Sequence, residues 1–218
     1  MIALKALRKN PLKSTLVFSS ITIAVMAIFL ISSISQGVIE MYSKMIKTDG
    51  DIIVTQKGIS DTFFSNIDLG LRENINALPE VKSSYAMIVG ASPIGHIPIA
   101  GIYGTTKEHF SNYHLISGSY PKEKEVILGQ NLAKMVGNKS VLISSKEFRV
   151  SGVFSSDIGF EEGGVVMNID DAGELFNRSA SFFLVSCKNA DTIDATVNKI
   201  AALSPEIEVK TTKNFIKE

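Results

Sequence analysis

Three histidines are the side chains in this sequence best suited to metal binding or acid–base chemistry. His109 and His114 are five positions apart, a spacing that does not align two side chains on one helical face, and no carboxylate or cysteine cluster completes a ligand set. His96 lies between Gly95 and Ile97 in a segment rich in glycine and proline. We expect His109 and His114 to be exposed to solvent and His96 to lie in a loop.

Two pairs of neighbouring acidic residues, Glu161-Glu162 and Asp170-Asp171, have the chemistry for acid–base catalysis or calcium binding. Adjacent carboxylates point apart, however, and no EF-hand spacing surrounds either pair. We interpret Glu161-Glu162 as a solvated loop and expect Asp170 or Asp171 to cap a short helix.

The nearest approach to a phosphate-binding loop is Gly137 to Ser140. A P-loop requires glycine where Asn138 and Ala133 stand, so the Walker motif is absent. No Gly-x-Ser-x-Gly nucleophile elbow occurs, and Cys187 follows an apolar run that predicts a buried, inert thiol. The sequence thus predicts no catalytic residue, no cofactor and no metal site, and hence a protein that is not an enzyme.

The most informative segment is a stretch from Ser14 to Ile39 that contains no charged residue. Its apolar part, Leu16 to Ile34, would span about 28 Å as a helix, close to the ~30 Å thickness of bilayer hydrocarbon. Four cations precede it, and the first acidic residue in the chain is Glu40. By the positive-inside rule the N-terminus is expected in the cytoplasm and the rest of the chain outside it. The four cations are Lys5, Arg8, Lys9 and Lys13.

A cleaved signal peptide is the alternative interpretation of this segment, with Ser33 and Ser35 as small residues near a cleavage site. Signal peptides have apolar regions of ~7–15 residues, and this one is longer, which favours a retained anchor. Residues 1–13 are typical of an amphipathic helix on the cytoplasmic face of the membrane.

Beyond the anchor, residues 36–48 keep a helical pattern, which predicts that the membrane helix continues as a stalk. The remaining chain has enough residues for one core or two small subdomains. Beyond residue 13 the chain has 18 basic and 22 acidic residues, so it is mildly acidic, and nothing suggests a basic face for nucleic acid. Its single cysteine excludes an internal disulfide.

The order of predicted elements indicates an α+β fold. A βαβ unit is predicted at residues 51–89 and another at 181–211, and glycine and proline at residues 90–98 suggest a boundary before a β-rich stretch. We expect the two βαβ units to share one sheet and residues 100–179 to form a separate lobe.

Two parts of the sequence carry a recognisable pattern. In the opening from Ala3 to Leu16, a turn with Asn10 and Pro11 follows a basic segment and precedes the apolar one. The outer region carries an ordered series: Leu115-Ile-Ser-Gly118, Glu125-Val-Ile-Leu-Gly129, Leu132-Ala133, Val136-Gly137, Val141 and Phe148-Arg-Val-Ser-Gly-Val-Phe154. The opening resembles the start of FtsX-type ABC transporter permeases, and the series resembles that of the MacB-like periplasmic core domain.

This resemblance implies a division of the chain into five parts. Residues 1–13 form the cytoplasmic-face segment, 14–35 the transmembrane helix and 36–48 the stalk. Residues 49–99 and 180–218 form a porter-like subdomain, and 100–179 a sabre-like one. The implied location is the inner (cytoplasmic) membrane, with the main domain in the periplasm.

The resemblance also implies a function and partners. Family permeases pair with a cytoplasmic ABC ATPase, associate as homo- or heterodimers, and convert the ATPase cycle into movement of the outer domain for export or lipoprotein release. An extracytoplasmic adaptor or a lipoprotein is a further implied partner. The alternative function is a single-pass adaptor or sensor that binds a ligand or partner without an ATPase.

Overall fold

The computed structural model describes residues 10–59, 61–137, 139–156, 158 and 160–215. Most of the predicted amphipathic segment, residues 1–9, lies outside these described residues. The chain divides into two compact units, Met1–Tyr42 and Ser43–Glu218.

The first unit contains most of the long helix α1, whose helical backbone runs from Pro11 to Asp49. Among the described residues, Pro11–Gly37 is the one helical stretch long and apolar enough to cross a membrane. Its large apolar side chains, such as Phe18, Phe29 and Ile34, are exposed, which suits contact with lipid. The prediction of an N-terminal apolar helix that continues past residue 36 is confirmed.

The second unit combines short helices with ten strands in its described residues. The helices are α2 (Leu71–Asn76), α3 (Gln130–Val136), α4 (Ile169–Phe176), α5 (Ile193–Ala201) and α6 (Thr212–Phe215). The strands are β1 (Ile52–Gln56), β2 (Val81–Ile94), β3 (Ile97–Thr105), β4 (His114–Gly118), β5 (Glu125–Gly129), β6 (Ser140–Ile143), β7 (Lys146–Ser155), β8 (Val165–Asn168), β9 (Phe182–Cys187) and β10 (Ile207–Thr211).

All ten strands belong to one sheet, in the order β10-β1-β9-β2-β3-β8-β5-β7-β4, with β6 beside β2 and β7. β9 lies between β1 and β2 and is antiparallel to both, whereas β1 lies between β9 and β10 and is antiparallel to both. The two βαβ units are therefore split and interleaved. This confirms the α+β class and the expectation that both units share a sheet.

The sheet is covered on both faces, and strand residues alternate between the two cores. Ile52 and Val54 of β1 pack in the core that also contains Ile75 of α2, Ala172 of α4 and Ile200 of α5. Ile53 of β1 packs in the opposite core, which is rich in aromatic side chains and includes Phe110, Tyr113 and Phe154. Burial of both faces explains the continuous apolar run of β9.

The predicted end of the first βαβ unit at residue 89 is wrong, whereas the boundary expected at residues 90–98 stays a prediction. β2 continues through Gly90 to Ile94, and the turn consists of Gly95 and His96 alone, because Ile94 pairs with Ile97. Gly90 is needed for packing: a Cβ there would lie 2.3 Å from the Phe176 ring of α4. The strands of the two expected lobes occupy opposite ends of the sheet, and the division into porter-like and sabre-like subdomains stays a prediction.

Candidate functional site

The folded domain begins at Gly50 and Asp51, which directly follow α1 and are bonded to β9. The backbone N–H of Asp51 donates to the Val185 carbonyl at 2.9 Å, and the Asp51 carboxylate accepts the backbone N–H of Cys187 at 2.8 Å. A Cβ at position 50 would lie 3.1 Å from the Val185 backbone nitrogen, so the chain passes close to β9 there. The start of the domain is thereby fixed to a central strand.

Thr212 attaches the end of the domain to the same point. Its backbone N–H donates to the Asp51 carbonyl at 2.9 Å. Its hydroxyl lies 2.7 Å from the Asp51 carbonyl oxygen and 2.9 Å from that of Gly50, so its single proton is shared between two acceptors. Thr212 is buried. We call Gly50, Asp51 and Thr212 the entry–exit junction, since they join the first and last parts of the domain.

An open cleft of about 430 Å³ lies beside this junction. It contains carboxylates from Asp51 and Asp194 and the ammonium group of Lys213. The Asp51 carboxylate already accepts the backbone N–H of Cys187. We therefore interpret the cleft as a polar recess of the surface. Its lining residues are Asp51, Ala190, Ile193, Asp194, Thr211, Thr212, Lys213 and Asn214.

A second open groove of about 430 Å³ lies at the other end of β1 and β10. Its polar lining includes Gln56, Asn66 and Asp68, and these groups already have partners in the chain. The Gln56 side-chain oxygen accepts the Asn66 N–H at 2.9 Å, and the Asp68 carboxylate accepts the Gly70 N–H at 3.2 Å. These bonds hold the loop before α2 in place.

The ion pair between the buried Glu125 and the exposed Arg149 is also structural. Glu125 at the start of β5 is bonded to Arg149 of β7. Burial raises the pKa of the Glu125 carboxyl, but the hydrogen bond from Arg149 and the backbone N–H of Lys122 outweigh it, so the net pKa is lowered. The pair connects two neighbouring strands and keeps the carboxylate ionised, which is not the behaviour of a general acid.

The expectation of an exposed His109 is wrong, whereas His114 is exposed and His96 lies in a turn. His109 is 1% exposed. It belongs to a 3₁₀ turn, Lys107–Asn112, that covers the aromatic core, and its ring centroid lies 5.0 Å from that of Tyr85 and 5.7 Å from that of Tyr113. The polar segment around it gives no periodic signal of this burial.

The acidic pairs also differ from expectation. Glu161 is buried and accepts a hydrogen bond from the Ser156 hydroxyl at 2.5 Å, so that position is not a solvated loop. The N-cap position of α4 is Asn168, and its side chain makes no capping bond. Asp171 is buried and accepts the backbone N–H of Lys124 at 2.8 Å, which links α4 to the turn before β5 instead of capping the helix.

The remaining sequence candidates lie apart from one another. Cys187 is half-buried at the end of β9, and burial raises the pKa of its thiol, which keeps it protonated at neutral pH. Gly137, with φ of 83°, ends α3 as predicted. Asn138 lies outside the described residues. No group of three or more metal-ligating side chains occurs within residues 10–59, 61–137, 139–156, 158 and 160–215.

Sequence reasoning missed the entry–exit junction. Asp51 and Thr212 are 161 positions apart, and each is a residue type that is common in turns. Only the pairing of β1 with β10 brings them together, and no local pattern encodes that pairing.

Comparison with known proteins identifies the relatives of this fold. Residues 14–203 match the family model described as the MacB-like periplasmic core domain. No curated protein matches the chain at a significant level. The fold is similar to the periplasmic region of MacB from Actinobacillus actinomycetemcomitans, with a TM-score of 0.63 and 13% identity over 79% of this chain and 94% of that one. It is also similar to the extracellular domain of the noncanonic ABC-type transporter YknZ from Gram-positive bacteria, with a TM-score of 0.61 and 12% identity over 73% of this chain and 98% of that one.

Proposed function

This chain belongs to the MacB-like periplasmic core domain family, and from that premise we propose that it is the membrane-anchored outer part of an ABC transporter permease. In this role it transmits the conformational change of a cytoplasmic ATPase to the outer domain, for export or for lipoprotein release. The observation that carries the proposal is the helix α1, which matches the family from residue 14 and has an uninterrupted helical backbone from Pro11 to Asp49.

The physical argument is that a helix with an intact hydrogen-bond ladder transmits displacement along its axis. α1 is followed at once by the entry–exit junction, where Asp51 is bonded to β9 and to Thr212. A force on residue 50 is therefore delivered to a central strand instead of being absorbed by a loose linker. Four cations before residue 14 support a cytoplasmic N-terminus.

The test is a break in the helix at residue 38 of the complete transporter. Val38→Pro removes a backbone hydrogen bond and clashes with the preceding turn, at a cost of about 3 kcal/mol or a kink. We expect ATP hydrolysis to continue while transport falls, with the outer domain still folded. Val38→Ala, which preserves the helix, is the matched control and should transport normally.

Two outcomes contradict the proposal. Normal transport by Val38→Pro would mean that rigid continuity of α1 is not needed. Loss of transport in His114→Ala or Cys187→Ala, with the protein still folded, would indicate a local site instead of a mechanical role. His109→Ala is not a suitable control, because that side chain is buried.

The open groove near Gln56 and Asn66, whose polar groups are bonded within the chain, leaves room for a ligand and so favours the alternative, a single-pass adaptor or sensor. Activity of the chain in cells that lack any partner ATPase would support this second function and contradict the first.

A further inference from the structure

β10 is a terminal strand of the sheet, and among the described residues it pairs only with β1. The pairing runs without a register shift from Ile52 opposite Thr211 to Gln56 opposite Ile207. Just beyond its two ends, the Thr212 N–H donates to the Asp51 carbonyl at 2.9 Å and the Lys57 N–H donates to the Glu206 carbonyl at 2.8 Å.

These two bonds determine which backbone groups of β10 face outward. Hydrogen-bonded pairs alternate along an antiparallel ladder, so Glu208 and Lys210 bond to β1. The N–H and C=O groups of Ile207, Val209 and Thr211 point to the open side. An added strand can bond there without breaking any bond of the ladder within the chain.

The other edge strand, β4, lacks this regularity. Its pairing with β7 shifts register between Leu115 and Ser117, a bulge of the kind that blocks edge pairing. β4 contains no aspartate, glutamate, lysine or arginine, so it has no charge pattern to select a partner. Only β10 therefore presents both a regular edge and a charge pattern.

The charges of β10 are complementary to themselves. Glu208 and Lys210 lie on one face of the strand, with the ammonium nitrogen 3.1 Å from a carboxylate oxygen. If two copies of β10 pair antiparallel about Val209, Glu208 of each copy stands opposite Lys210 of the other. Such pairs occupy the closer, non-hydrogen-bonded positions, where opposite charges stabilise pairing most.

The same charges disfavour the neighbouring registers. The outward groups allow a shift by one pair in either direction. One shift places Glu208 opposite Glu208, and the other places Lys210 opposite Lys210, each of which is repulsive. The strand thus selects one symmetric register and disfavours pairing with unrelated strands.

We propose that the outer edge of β10 binds the same edge of a second copy of this chain, in an antiparallel register centred on Val209, and so extends the sheet across two molecules. Association of two permeases is already implied by the family resemblance. The proposal adds the surface and the register of that association, and it requires neither an ATPase nor a transported substrate.

The test is disulfide crosslinking of the full chain in membranes without any ATPase. In a Cys187→Ser background, Val209→Cys places two thiols at a Cα separation of about 5.5 Å, within the range for a disulfide. Mild oxidation should give a crosslinked dimer. Leu203→Cys in the same background is the matched control: it is exposed, lies outside β10, and should stay monomeric.

Charge exchange in the Val209→Cys background tests the register. Glu208→Lys and Lys210→Glu each place like charges opposite one another, so each alone should crosslink about tenfold less. Expressed together with different tags, they should crosslink to each other, because every opposed pair is then of opposite sign. Each variant still carries two like charges within its own strand. Recovery of the crosslinking yield in the mixture therefore reports only the pairing between molecules.

The proposal is overturned if Val209→Cys does not crosslink, if Leu203→Cys crosslinks equally, or if charge exchange changes nothing. Capture of a different protein in place of a second copy also overturns it. A thermal melt of each variant shows that it is folded, and failure of the mixed variants to crosslink while both melt normally counts against the register.

Discussion

Asp171 and Glu125 show how neighbours set the behaviour of a buried carboxylate in this domain. Glu125 has Arg149 as a cationic partner, and its pKa is lowered. Asp171 has only the backbone N–H of Lys124 to offset burial, and the nearby charges of Glu123, Glu174 and Asp170 add repulsion. Burial, followed by that repulsion, raises the pKa of Asp171.

We predict that Asp171→Asn is more stable than the parent at pH 7. The raised pKa means that the folded state favours the protonated Asp171 carboxyl. Its contribution to folding stability is complete below the unfolded pKa of about 3.9 and is lost as the pH rises through the folded pKa. Asparagine removes the charge and keeps an acceptor for Lys124. The gain should be at most about 1 kcal/mol, measured by urea unfolding at pH 7.

The same comparison at pH 4 should show a smaller difference, because the parent is then partly protonated. Asp170→Asn is the control, since Asp170 is exposed and should change little at either pH. A larger gain from Asp170→Asn than from Asp171→Asn would contradict the assignment.

The sequence predicted the residues whose conformation is set by local geometry. It did not predict the burial of residues whose partners come from elsewhere in the fold. Gly137 as a helix end follows from local geometry, and so does the turn at His96. The burial of Glu161 and Asp171 depends on Ser156 and Lys124, and the Lys124 partner is far from Asp171 in the chain. A carboxylate with a distant neutral donor looks the same in sequence as a solvated one.

Among the elements, β9 connects the two βαβ units, because it pairs with β1 on one side and β2 on the other. Leu184 at its centre is fully buried. We predict that Leu184→Asp destabilises the domain by more than about 4 kcal/mol, since an unpaired carboxylate would enter the aromatic core. Thermal or urea unfolding measures the effect.

Leu142→Asp in β6 makes the same chemical change on a strand residue that is 51% exposed. It should shift stability by no more than about 0.5 kcal/mol. Equal effects of the two substitutions would mean that β9 is not a buried interior strand of the sheet.

Strand and helix positions could be predicted from the sequence where one spacing of apolar residues dominates. The two βαβ units were located at residues 51–89 and 181–211, and β1 begins at Ile52 and β10 ends at Thr211, because β-branched runs mark these strands. The continuation of β2 past Val89 was not predicted, because Gly90 resembles a breaker in sequence and its packing role depends on Phe176 of α4. β4 lacked a strong strand pattern because its side chains are mostly exposed.

Across the domain, one sheet joins all ten described strands, so the two expected lobes share a continuous hydrogen-bonded structure. We predict that residues 49–218, made without the anchor, are soluble and unfold in a single cooperative transition instead of two. Circular dichroism and calorimetry of this fragment test the prediction. Two resolved transitions, or no transition, would contradict it.

A matched fragment that ends at residue 179 lacks β9 and β10. Because these are the only described partners of β1, β1 would have no strand to pair with. This fragment should lose the cooperative transition of the longer one.

The interleaving of β1 and β2 with β9 and β10 has a consequence for biosynthesis. When the ribosome has made β1 and β2, the strand that separates them is still about ninety residues away. β1 and β2 must therefore stay without their shared partner strand while the intervening strands are made. Long waits of this kind slow folding and expose strand edges to aggregation. The first strands to be synthesised are consequently among the last to complete their pairing, so the order of synthesis and the order of folding differ in this domain.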